Sequence, residues 1–353
     1  MYWLAVLVFG IAVFSGTNVF GAAGNVDGLG DVDLKDVIMS LQVSAGLKPA
    51  GVTTAGDVNS DGKIGLAEAV YGLQVVSEIR DFVVVFPDTN LESSVREAIS
   101  KPAGDILASD LRVLTSLDAY ERDIANLEGL QYCTNLTVLY LYDNQISDIS
   151  AVAGLTKLTV LDIGGNPISN INAVAGLVNL AWFDSDANQI SDISALAGLV
   201  NLKELYIGEN PISDISALAG LTKLTGLYLG VIQTGDISTL AGLVNLTWLS
   251  LDDNQISDIS ALAGLTKLTE LSLPGNQISN ISAVAGFVNL TVLDLSGNQI
   301  SNIKPLVDNS GIGRGDTVSL YSNGAGNPLN TTSCSVYIPQ LLNRGVTLYH
   351  NCP

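Results

Sequence analysis

The chain has 353 residues and a formal net charge of -20 at pH 7, from 35 acidic and 15 basic residues. Its length allows more than one domain, and its 47% hydrophobic content ensures a buried core. The acidic excess argues against nucleic acid and anionic membrane surfaces as partners, because binding to phosphates requires Lys and Arg. We therefore expect partners that are neutral or basic, or cations.

Residues 1–23 form an apolar segment that ends in small residues. Tyr2 to Phe20 is almost entirely apolar, and Gly21, Ala22 and Ala23 follow. This pattern is typical of a secretory signal peptide cleaved near these small residues, although the usual basic start is missing. An uncleaved membrane anchor is the alternative, since the span is just long enough to cross a bilayer. We expect cleavage, a secreted or cell-surface location, and no membrane insertion afterwards.

A calcium-loop pattern occupies residues 57–68, with the sequence DVNSDGKIGLAE. It matches D-x-[DN]-x-[DN]-G-x5-E in full. Calcium takes oxygen ligands from loop positions 1, 3, 5 and 12 and from the carbonyl at position 7, while a glycine at position 6 allows the sharp turn. An acidic surface turn is the alternative interpretation. The predicted ligands are Asp57, Asn59, Asp61, Glu68 and the carbonyl of Lys63.

A degenerate copy of this module begins earlier, at Asn25, where NVDGLGDVDLKDVIMSLQV aligns with DVNSDGKIGLAEAVYGLQV. Position 5 of the earlier loop is Leu29, whose side chain has no oxygen to offer. Metal binding at this loop is therefore left open. Its candidate ligands are Asn25, Asp27, Asp33 and Asp36.

Two tandem loop-helix units over residues 24–80 resemble a dockerin type I domain. The resemblance implies a small all-α, EF-hand-like domain, calcium as its cofactor, and attachment to a cohesin-like module of a surface scaffold. The family often carries Ser and Thr at loop positions 10 and 11. This chain has Leu34 and Lys35 in the first loop, and Leu66 and Ala67 in the second.

Residues 81–113 separate this unit from the repeats and are predicted to form a helical N-terminal cap. Asn90 is the expected helix cap, with Leu91, Val95, Ala98 and Ile99 on one apolar face. A solenoid needs such a cap because its first strand would otherwise expose the core.

From residue 114 to residue 311 the chain repeats itself with a fixed period, which leaves room for nine units. The period of about 22 residues and the template L-x-x-L-x-L-x-x-N-x-I are those of the leucine-rich repeat. We expect an α/β solenoid, a horseshoe with a parallel concave sheet and a ladder of buried asparagines. The cap and the N-x-I-S-D-I-S-x-L-A-x-L repeats resemble the internalin family of bacterial surface proteins. That resemblance implies binding of another protein on the concave sheet.

The third, fifth and seventh residues of each unit are expected to point outward from the sheet. From the unit at Leu136 onward these positions include seven acids and no Lys or Arg. Four aromatic residues from consecutive strands are predicted to form one patch, although the strand propensity of aromatic residues is the alternative explanation. The predicted partner-binding residues are Tyr140, Tyr142, Trp182, Asp184, Asp186, Glu204, Tyr206, Tyr228, Trp248, Asp252 and Glu270.

Residues 312–353 depart from the repeat and are predicted to form a C-terminal cap. A last strand is expected around Val318, and Asn327 continues the asparagine ladder. In an oxidising compartment, a disulfide between Cys334 and Cys352 is plausible. Cys133 then remains as a buried free thiol, since it stands where other units have Leu or Val.

The sequence does not favour an enzyme. The single histidine, His350, stands close to the end of the chain. A glycosidase built on Asp184 and Asp186 is disfavoured, because we expect an open sheet to lack the enclosed cleft that raises the pKa of a catalytic acid. Two binding functions remain. One is recognition of a protein partner, and the other is polysaccharide binding within an extracellular degradative assembly.

Overall fold

The structure is a computed structural model that describes residues 81–322 and 324–353. The expected signal peptide and the dockerin-like unit, with both calcium loops, lie outside these residues. Residues 84–353 form one unit, which contains the cap, the repeats and the C-terminal region.

The N-terminal cap is built around helix α1, Thr89–Ala98, followed by the short helix α2, Ala108–Leu111. The helix cap is Asp88 and not Asn90 as expected, because the Asp88 carboxylate accepts hydrogen bonds from the backbone N–H groups of Asn90 and Leu91. Leu91 and Val95 are fully buried, as predicted, whereas Ala98 is exposed. The buried stripe of α1 is therefore narrower than predicted, since Ala98 lies at the last turn and faces solvent.

Asp88 also joins the cap to the first repeat. Its second carboxylate oxygen accepts hydrogen bonds from the backbone N–H groups of Ala125 and Asn126, at 2.8 and 3.0 Å. Burial alone would raise the pKa of Asp88, but its four backbone donors outweigh burial and lower the pKa. A carboxylate serves both N–H pairs better than the amide of Asn90, because an ionised carboxylate only accepts hydrogen bonds.

The repeats form a parallel sheet in which each strand begins one repeat period after the one before it. The register partners of neighbouring repeat strands are also one period apart, as in Ser116 with Val138 and Val138 with Val160, which confirms the nine predicted units. The strands are β1 Ser116–Asp118, β2 Val138–Tyr140, β3 Val160–Asp162, β4 Trp182–Asp184, β5 Glu204–Tyr206, β6 Gly226–Tyr228, β7 Trp248–Ser250, β8 Glu270–Ser272 and β9 Val292–Asp294.

The return path of each of the first eight units contains a short 3-10 helix, and that of the ninth contains the α-helix Lys304–Asp308. The core lies between these helices and the sheet. The Leu and Ile side chains of the template point into this core and are almost completely buried. The 3-10 helices are Leu130–Tyr132, Ser150–Val152, Asn172–Gly176, Ser194–Gly198, Ser216–Gly220, Ser238–Gly242, Ser260–Gly264 and Ser282–Gly286. In five units an aspartate shortly before the first Ser, such as Asp258 before Ser260, accepts the backbone N–H of that Ser.

The predicted asparagine ladder is present. The side-chain amide of Asn166 donates to the backbone carbonyls of Leu141 and Ile163, and its oxygen accepts the backbone N–H of Ile146. One asparagine therefore satisfies buried backbone groups of two successive units, which the strands alone leave unpaired. Asn327 ends the ladder by donating to Leu295 and Leu320, as the sequence indicated.

One unit departs from the ladder. It spans residues 224–245, and we call it the variant unit. Ile232 occupies the asparagine position, so Asn254 of the next unit accepts the backbone N–H groups of both Ile232 and Thr234 at 3.2 Å. Val231 and Gln233 take positive φ angles of 55° and 63°. The strand pairing of β6 with both neighbours keeps its register, so the rearrangement is confined to the turn.

The C-terminal cap closes the other end of the sheet. It follows α3 Lys304–Asp308, the helix of the ninth unit. It contains β10 Thr317–Ser319, the antiparallel pair β11 Tyr321–Ser322 and β12 Ala325–Gly326, a π-helical turn Ser333–Tyr337, α4 Ile338–Asn343 and β13 Thr347–Tyr349. Strands β10 and β13 extend the parallel sheet to eleven strands in the described part of the chain.

The predicted disulfide between Cys334 and Cys352 is present, and Cys133 is a buried free thiol, as expected.

Candidate partner-binding face

The register of the sheet aligns the outward residues into rows that run across the strands. One row, which we call the tryptophan row, contains Trp182, Glu204, Gly226, Trp248 and Glu270 on β4 to β8. The next row contains Asp184, Tyr206, Tyr228 and Ser250. The outward direction predicted for these residues is confirmed, since the alternate residues of the same strands, such as Leu205, are fully buried.

Three aromatic rings meet at the centre of this face. Tyr206 lies between Trp182 and Trp248, with ring centroids 5.6 Å apart in both pairs and planes tilted by 45° and 37°. Tilted ring pairs at this separation are favourable because of the quadrupoles of the rings. We call these three residues the aromatic cluster. Burial and the nearby Glu204 carboxylate raise the pKa of the Tyr206 phenol to about 12.

A glycine makes the cluster possible. Trp248 is on β7 and Tyr206 on β5, and the intervening residue of the tryptophan row is Gly226 on β6. A Cβ atom at Gly226 would lie 3.3 Å from the Cε3 atom of Trp248 and 3.4 Å from the Cγ atom of Glu204. The absence of a side chain therefore lets the indole cross the strand and reach Tyr206.

Tyr228 lies on the same face but its ring takes a different direction. A Cβ at Gly208 would overlap this ring, and one at Gly230 would lie 2.7 Å from its hydroxyl oxygen. The ring therefore covers these two glycines. Burial, the Asp252 charge and a hydrogen bond to that carboxylate raise the pKa of Tyr228. Ser250 also donates a hydrogen bond to Asp252, which is thus held by two hydroxyl groups.

The tyrosines and acids of β2 to β4 form the other side of the face. The Tyr142 side chain is 45% exposed, while Tyr140 is half-buried. A Cβ at Gly164 would lie 3.1 Å from a carboxylate oxygen of Asp184 and 3.2 Å from the Tyr142 ring. As at Gly226, a glycine lets side chains from strands on both of its sides approach each other.

The acids of this region hold their protons unusually strongly. Burial raises the pKa of Asp184 to about 6, and burial together with the Asp184 charge raises the pKa of Asp186 to about 8. Asp184 accepts a hydrogen bond from the backbone N–H of Asp186, and Asp186 accepts one from the backbone N–H of Gly208. These bonds lower the pKa of both acids, but by less than burial raises it. Our expectation that an open sheet leaves its acids unshifted is wrong, because neighbouring side chains desolvate both carboxyl groups.

The charge on this face has one sign. The outward residues of β2 to β9 include five acids, Asp186 and Asp252 follow just beyond β4 and β7, and none of these positions is Lys or Arg. Glu270 is exposed at the end of the tryptophan row, and Glu204 is half-buried and accepts a hydrogen bond from the Tyr206 hydroxyl at 3.1 Å. The face therefore combines apolar rings with carboxylates that have no basic residue beside them on the sheet.

Within the part of the chain that the structure describes, metal-ligating side chains do not cluster. Among residues 81–322 and 324–353, no group of three or more His, Cys, Asp or Glu side chains is placed to hold a metal ion. His350 lies in the C-terminal cap, where its ring nitrogen accepts the backbone N–H of Cys352. In the same part of the chain, no helix has both the length and the apolar character needed to cross a bilayer.

Comparison with known proteins places the chain in a family. The family model described as Leucine Rich repeats (2 copies) matches residues 134–176, 185–220, 200–242, 244–286 and 266–308. The crystal structure of an internalin (inlF) from Listeria monocytogenes is similar, with 30% identity and a TM-score of 0.61, and the match covers 76% of this chain and 92% of that one. The chain belongs to the internalin-type leucine-rich repeat proteins.

A second internalin structure supports this assignment. The crystal structure of internalin C2 (inlC2) from Listeria monocytogenes is similar, with 38% identity and a TM-score of 0.51. The match covers 65% of the present chain and 92% of the internalin C2 chain. A leucine-rich repeat protein of Leptospira interrogans, at 21% identity and a TM-score of 0.53, shares the fold; the match covers 68% of this chain and 73% of that one. No curated protein matches the sequence.

The sequence predicted which side chains of this internalin-type protein face outward from the sheet but missed the glycines that arrange them. Gly164, Gly208 and Gly226 stand at outward positions of the repeat, where a side chain is expected. A glycine inside a strand often marks a close approach of other groups, so this signal was available.

Proposed function

We propose that this protein is a secreted or cell-surface binding protein whose concave sheet recognises a protein partner. The observation that carries the proposal is the aromatic cluster, in which Tyr206 is held between Trp182 and Trp248 on an open face. Binding energy at protein interfaces concentrates in a few Trp, Tyr and Arg residues near the centre of the contact. The cluster has the composition and the position of such a hot spot.

The rigidity of the cluster supports this assignment. Trp182, Tyr206 and Trp248 are half-buried by one another and by the sheet, so their rotamers are restricted before any partner arrives. Less side-chain entropy is then lost on binding, which leaves more of the contact energy for affinity.

An extracellular location is part of the proposal. The disulfide between Cys334 and Cys352 supports it, because such bonds persist mainly in oxidising compartments. The apolar segment of residues 1–23 supports it as well, as a signal for export. We further propose that residues 24–80 form a calcium-stabilised module for attachment or assembly, with a cohesin-like module as its candidate partner.

Polysaccharide binding is the second candidate for the concave face. Sugar rings stack on flat aromatic faces that are open to solvent. In the aromatic cluster the rings are tilted against one another and cover part of each other's faces. This packing favours a protein partner over a sugar chain.

The proposal is tested by a pull-down from cell-surface extracts, run beside a glycan array. The wild-type chain is compared with Trp182→Ala, Trp248→Ala and, as a matched control, Tyr349→Ala, an exposed aromatic residue in the C-terminal cap. We expect a captured protein that both tryptophan variants lose and the control retains. Retention by both tryptophan variants, or binding to glycans alone, contradicts a protein-binding concave face.

A further inference from the structure

The two edges of the repeat sheet carry opposite charges. Because the repeat strands are parallel, the turns that precede them lie along one edge of the sheet and the turns that follow them lie along the other. The turns that precede β2 to β9 contain four lysines and no Asp or Glu, whereas the turns that follow the same strands contain ten acids and no Lys or Arg. We call the first the lysine edge, with Lys157, Lys203, Lys223 and Lys267, and the second the aspartate edge, with Asp148, Asp192, Asp214, Asp236 and Asp258.

We propose that copies of this chain associate edge to edge, with the lysine edge of one copy against the aspartate edge of the next. This contact goes beyond the proposed function, because it uses the edges of the sheet and leaves the concave face open. A pair of copies keeps one free lysine edge and one free aspartate edge, so further copies can add. The assembly is therefore an open stack and not a closed dimer.

The charges of the two edges match in spacing. Three units end in a lysine and also carry an aspartate before their 3-10 helix, and these pairs are Asp148 with Lys157, Asp214 with Lys223 and Asp258 with Lys267. At about 4.8 Å per strand, the three lysines are about 14 Å and about 10 Å apart along the sheet, and the three aspartates have the same spacing. A second copy that is displaced sideways, without a shift along the sheet, therefore brings three lysines to three aspartates at once.

The three matched lysines are exposed and held in place by the preceding unit. The Lys223 ammonium group donates a hydrogen bond to the Oδ1 atom of Asn201 at 2.7 Å, and Lys157 and Lys267 bond in the same way to the asparagines one unit before them. An ammonium group has three N–H donors, so each lysine keeps donors for an incoming carboxylate. Within the described residues none of the three forms an ion pair with an acid.

The three matched aspartates are exposed and fixed as well. Asp148, Asp214 and Asp258 each accept the backbone N–H of the serine two residues later at 2.8 Å. This hydrogen bond lowers the pKa of Asp214 and of Asp258, so both are ionised at neutral pH. Both edges therefore present charged groups that are already restricted and lose little freedom on contact.

Apolar surface lies between the lysines. Val178 and Val200 stand between Lys157 and Lys223 along the lysine edge, and Val244 stands between Lys223 and Lys267. Each of these valines is 47% exposed. Removing them from water favours a contact at this edge, while the charges decide which surface fits there. The aspartate edge of a second copy supplies carboxylates at the matching interval.

The net charge of -20 does not prevent the contact. At physiological salt, exposed charges that are more than about 8 Å apart are largely screened from one another. The groups that meet at the two edges therefore decide whether copies associate. Exposed ion pairs are individually weak, so we expect association only at high protein concentration.

The test is sedimentation equilibrium of the full chain from micromolar to near-millimolar concentration at physiological salt. We expect the average mass of the wild-type chain to rise at least about twofold over this range, because an open stack continues to grow. The lysine variant combines Lys157→Glu, Lys223→Glu and Lys267→Glu, and the aspartate variant combines Asp148→Lys, Asp214→Lys and Asp258→Lys.

Each of these two variants alone should stay monomeric, because like charges then meet at the matched positions. An equimolar mixture should associate again, since every contact between the two variants restores opposite charges. The lysine variant is more acidic than the wild-type chain and the aspartate variant is less acidic. A loss of association in both is therefore not an effect of net charge.

A milder variant guards against misfolding of the turns. Asn170 and Asn280 hold the aspartate position in other units and accept the same backbone hydrogen bond. The combination of Asp148→Asn, Asp214→Asn and Asp258→Asn therefore keeps the turns and removes only the charges. We expect it to weaken association about fivefold or more.

The matched control removes three charges from the concave face, in Glu204→Gln combined with Glu270→Gln and Asp294→Asn. It should associate as the wild-type chain does. A wild-type chain that stays monomeric over the whole range, equal association of the wild-type chain and the lysine variant, or a mixture of the two charge variants that does not associate overturns the inference. An equal loss in the concave-face control and the milder variant overturns it too.

Discussion

Trp248 contacts Tyr206 across an entire strand. Their ring centroids are 5.6 Å apart although β6 separates the strands that carry them. The contact exists because the crossing position on β6 is a glycine. The central aromatic cluster of the concave face therefore depends on a residue that contributes no side chain to it.

This dependence predicts the effect of Gly226→Val. The branched side chain would occupy the space of the indole, so Trp248 must leave Tyr206, whereas Gly226→Ala should displace it only by a few tenths of an ångström. We expect Gly226→Val to bind the partner about tenfold more weakly, because it disturbs the residues that contribute most to binding. Gly226→Ala should lose less affinity. Gly264→Ala is the control, since a Cβ there meets no atom within 4 Å. Unchanged affinity of Gly226→Val would show that the arrangement of the rings is irrelevant to binding.

The repeat period predicted most of the scaffold, because core packing and the asparagine ladder act on every unit in the same way. Ile256 and Asn254 occupy template positions, and both are buried as expected. The sequence did not identify Asp88 as the helix cap, because asparagine and aspartate are equally good capping residues and Asn90 closely follows Asp88. The choice depends on a second contact, with Ala125 and Asn126, which are far away in sequence.

The binding face was predicted less completely, because its geometry arises between units. The direction of the Tyr228 ring depends on glycines at positions 208 and 230, which leave the space that the ring fills. The raised pKa of Asp186 likewise depends on Asp184 and on burial by adjacent strands. A template that describes one unit at a time does not contain such relations.

The backbone of the variant unit is strained at Val231. This residue has a φ of 55°, while Gly165, Gly275 and Gly297 hold the equivalent position in other units at φ between 64° and 66°. A β-branched residue is unfavourable in this left-handed region. We expect Val231→Gly to stabilise the fold by about 1 kcal/mol in chemical denaturation, after the entropy cost of a new glycine.

Asp253→Gly is the control for Val231→Gly, because Asp253 holds the same position in the next unit and has a φ of 50°. Aspartate tolerates the left-handed region better than valine, so this variant should gain less stability. Equal gains, or a loss in Val231→Gly, would show that the side chain of Val231 does not strain the backbone.

The raised pKa values of Asp184 and Asp186 predict how stability changes with pH. Because both folded-state pKa values exceed the ordinary value of 3.8, the fold favours the protonated acids. Their contribution to stability is therefore complete below about pH 4 and is lost as the pH rises through about 6 and then about 8. We expect the melting temperature to fall over this window. In the double variant Asp184→Asn with Asp186→Asn, the melting temperature should fall clearly less over this pH range. A fall as steep as in the wild-type chain would show that these two acids do not cause it.

The loop of residues 57–68 is predicted to bind calcium. Calorimetric titration of the full chain should show heat of calcium binding, which Asp57→Ala with Glu68→Ala removes. With an affinity near about 10 μM, millimolar calcium would stabilise this unit by about 2.7 kcal/mol. Asp258→Asn, a change in a repeat turn, should leave the heat intact. The absence of any heat in the wild-type chain excludes the site.

The central claim is that the aromatic cluster binds the partner, and it is tested most directly by the affinities of Trp182→Ala and Trp248→Ala for the captured protein. We expect each to cost about 2 kcal/mol in binding with little change in the free energy of unfolding, since both rings lie outside the core. Ile256→Ala, which empties a fully buried position, should instead lower stability by roughly 2 to 5 kcal/mol. If both tryptophan variants bind as tightly as the wild-type chain while Asp258→Lys on the opposite side loses binding, the concave face is not the binding surface.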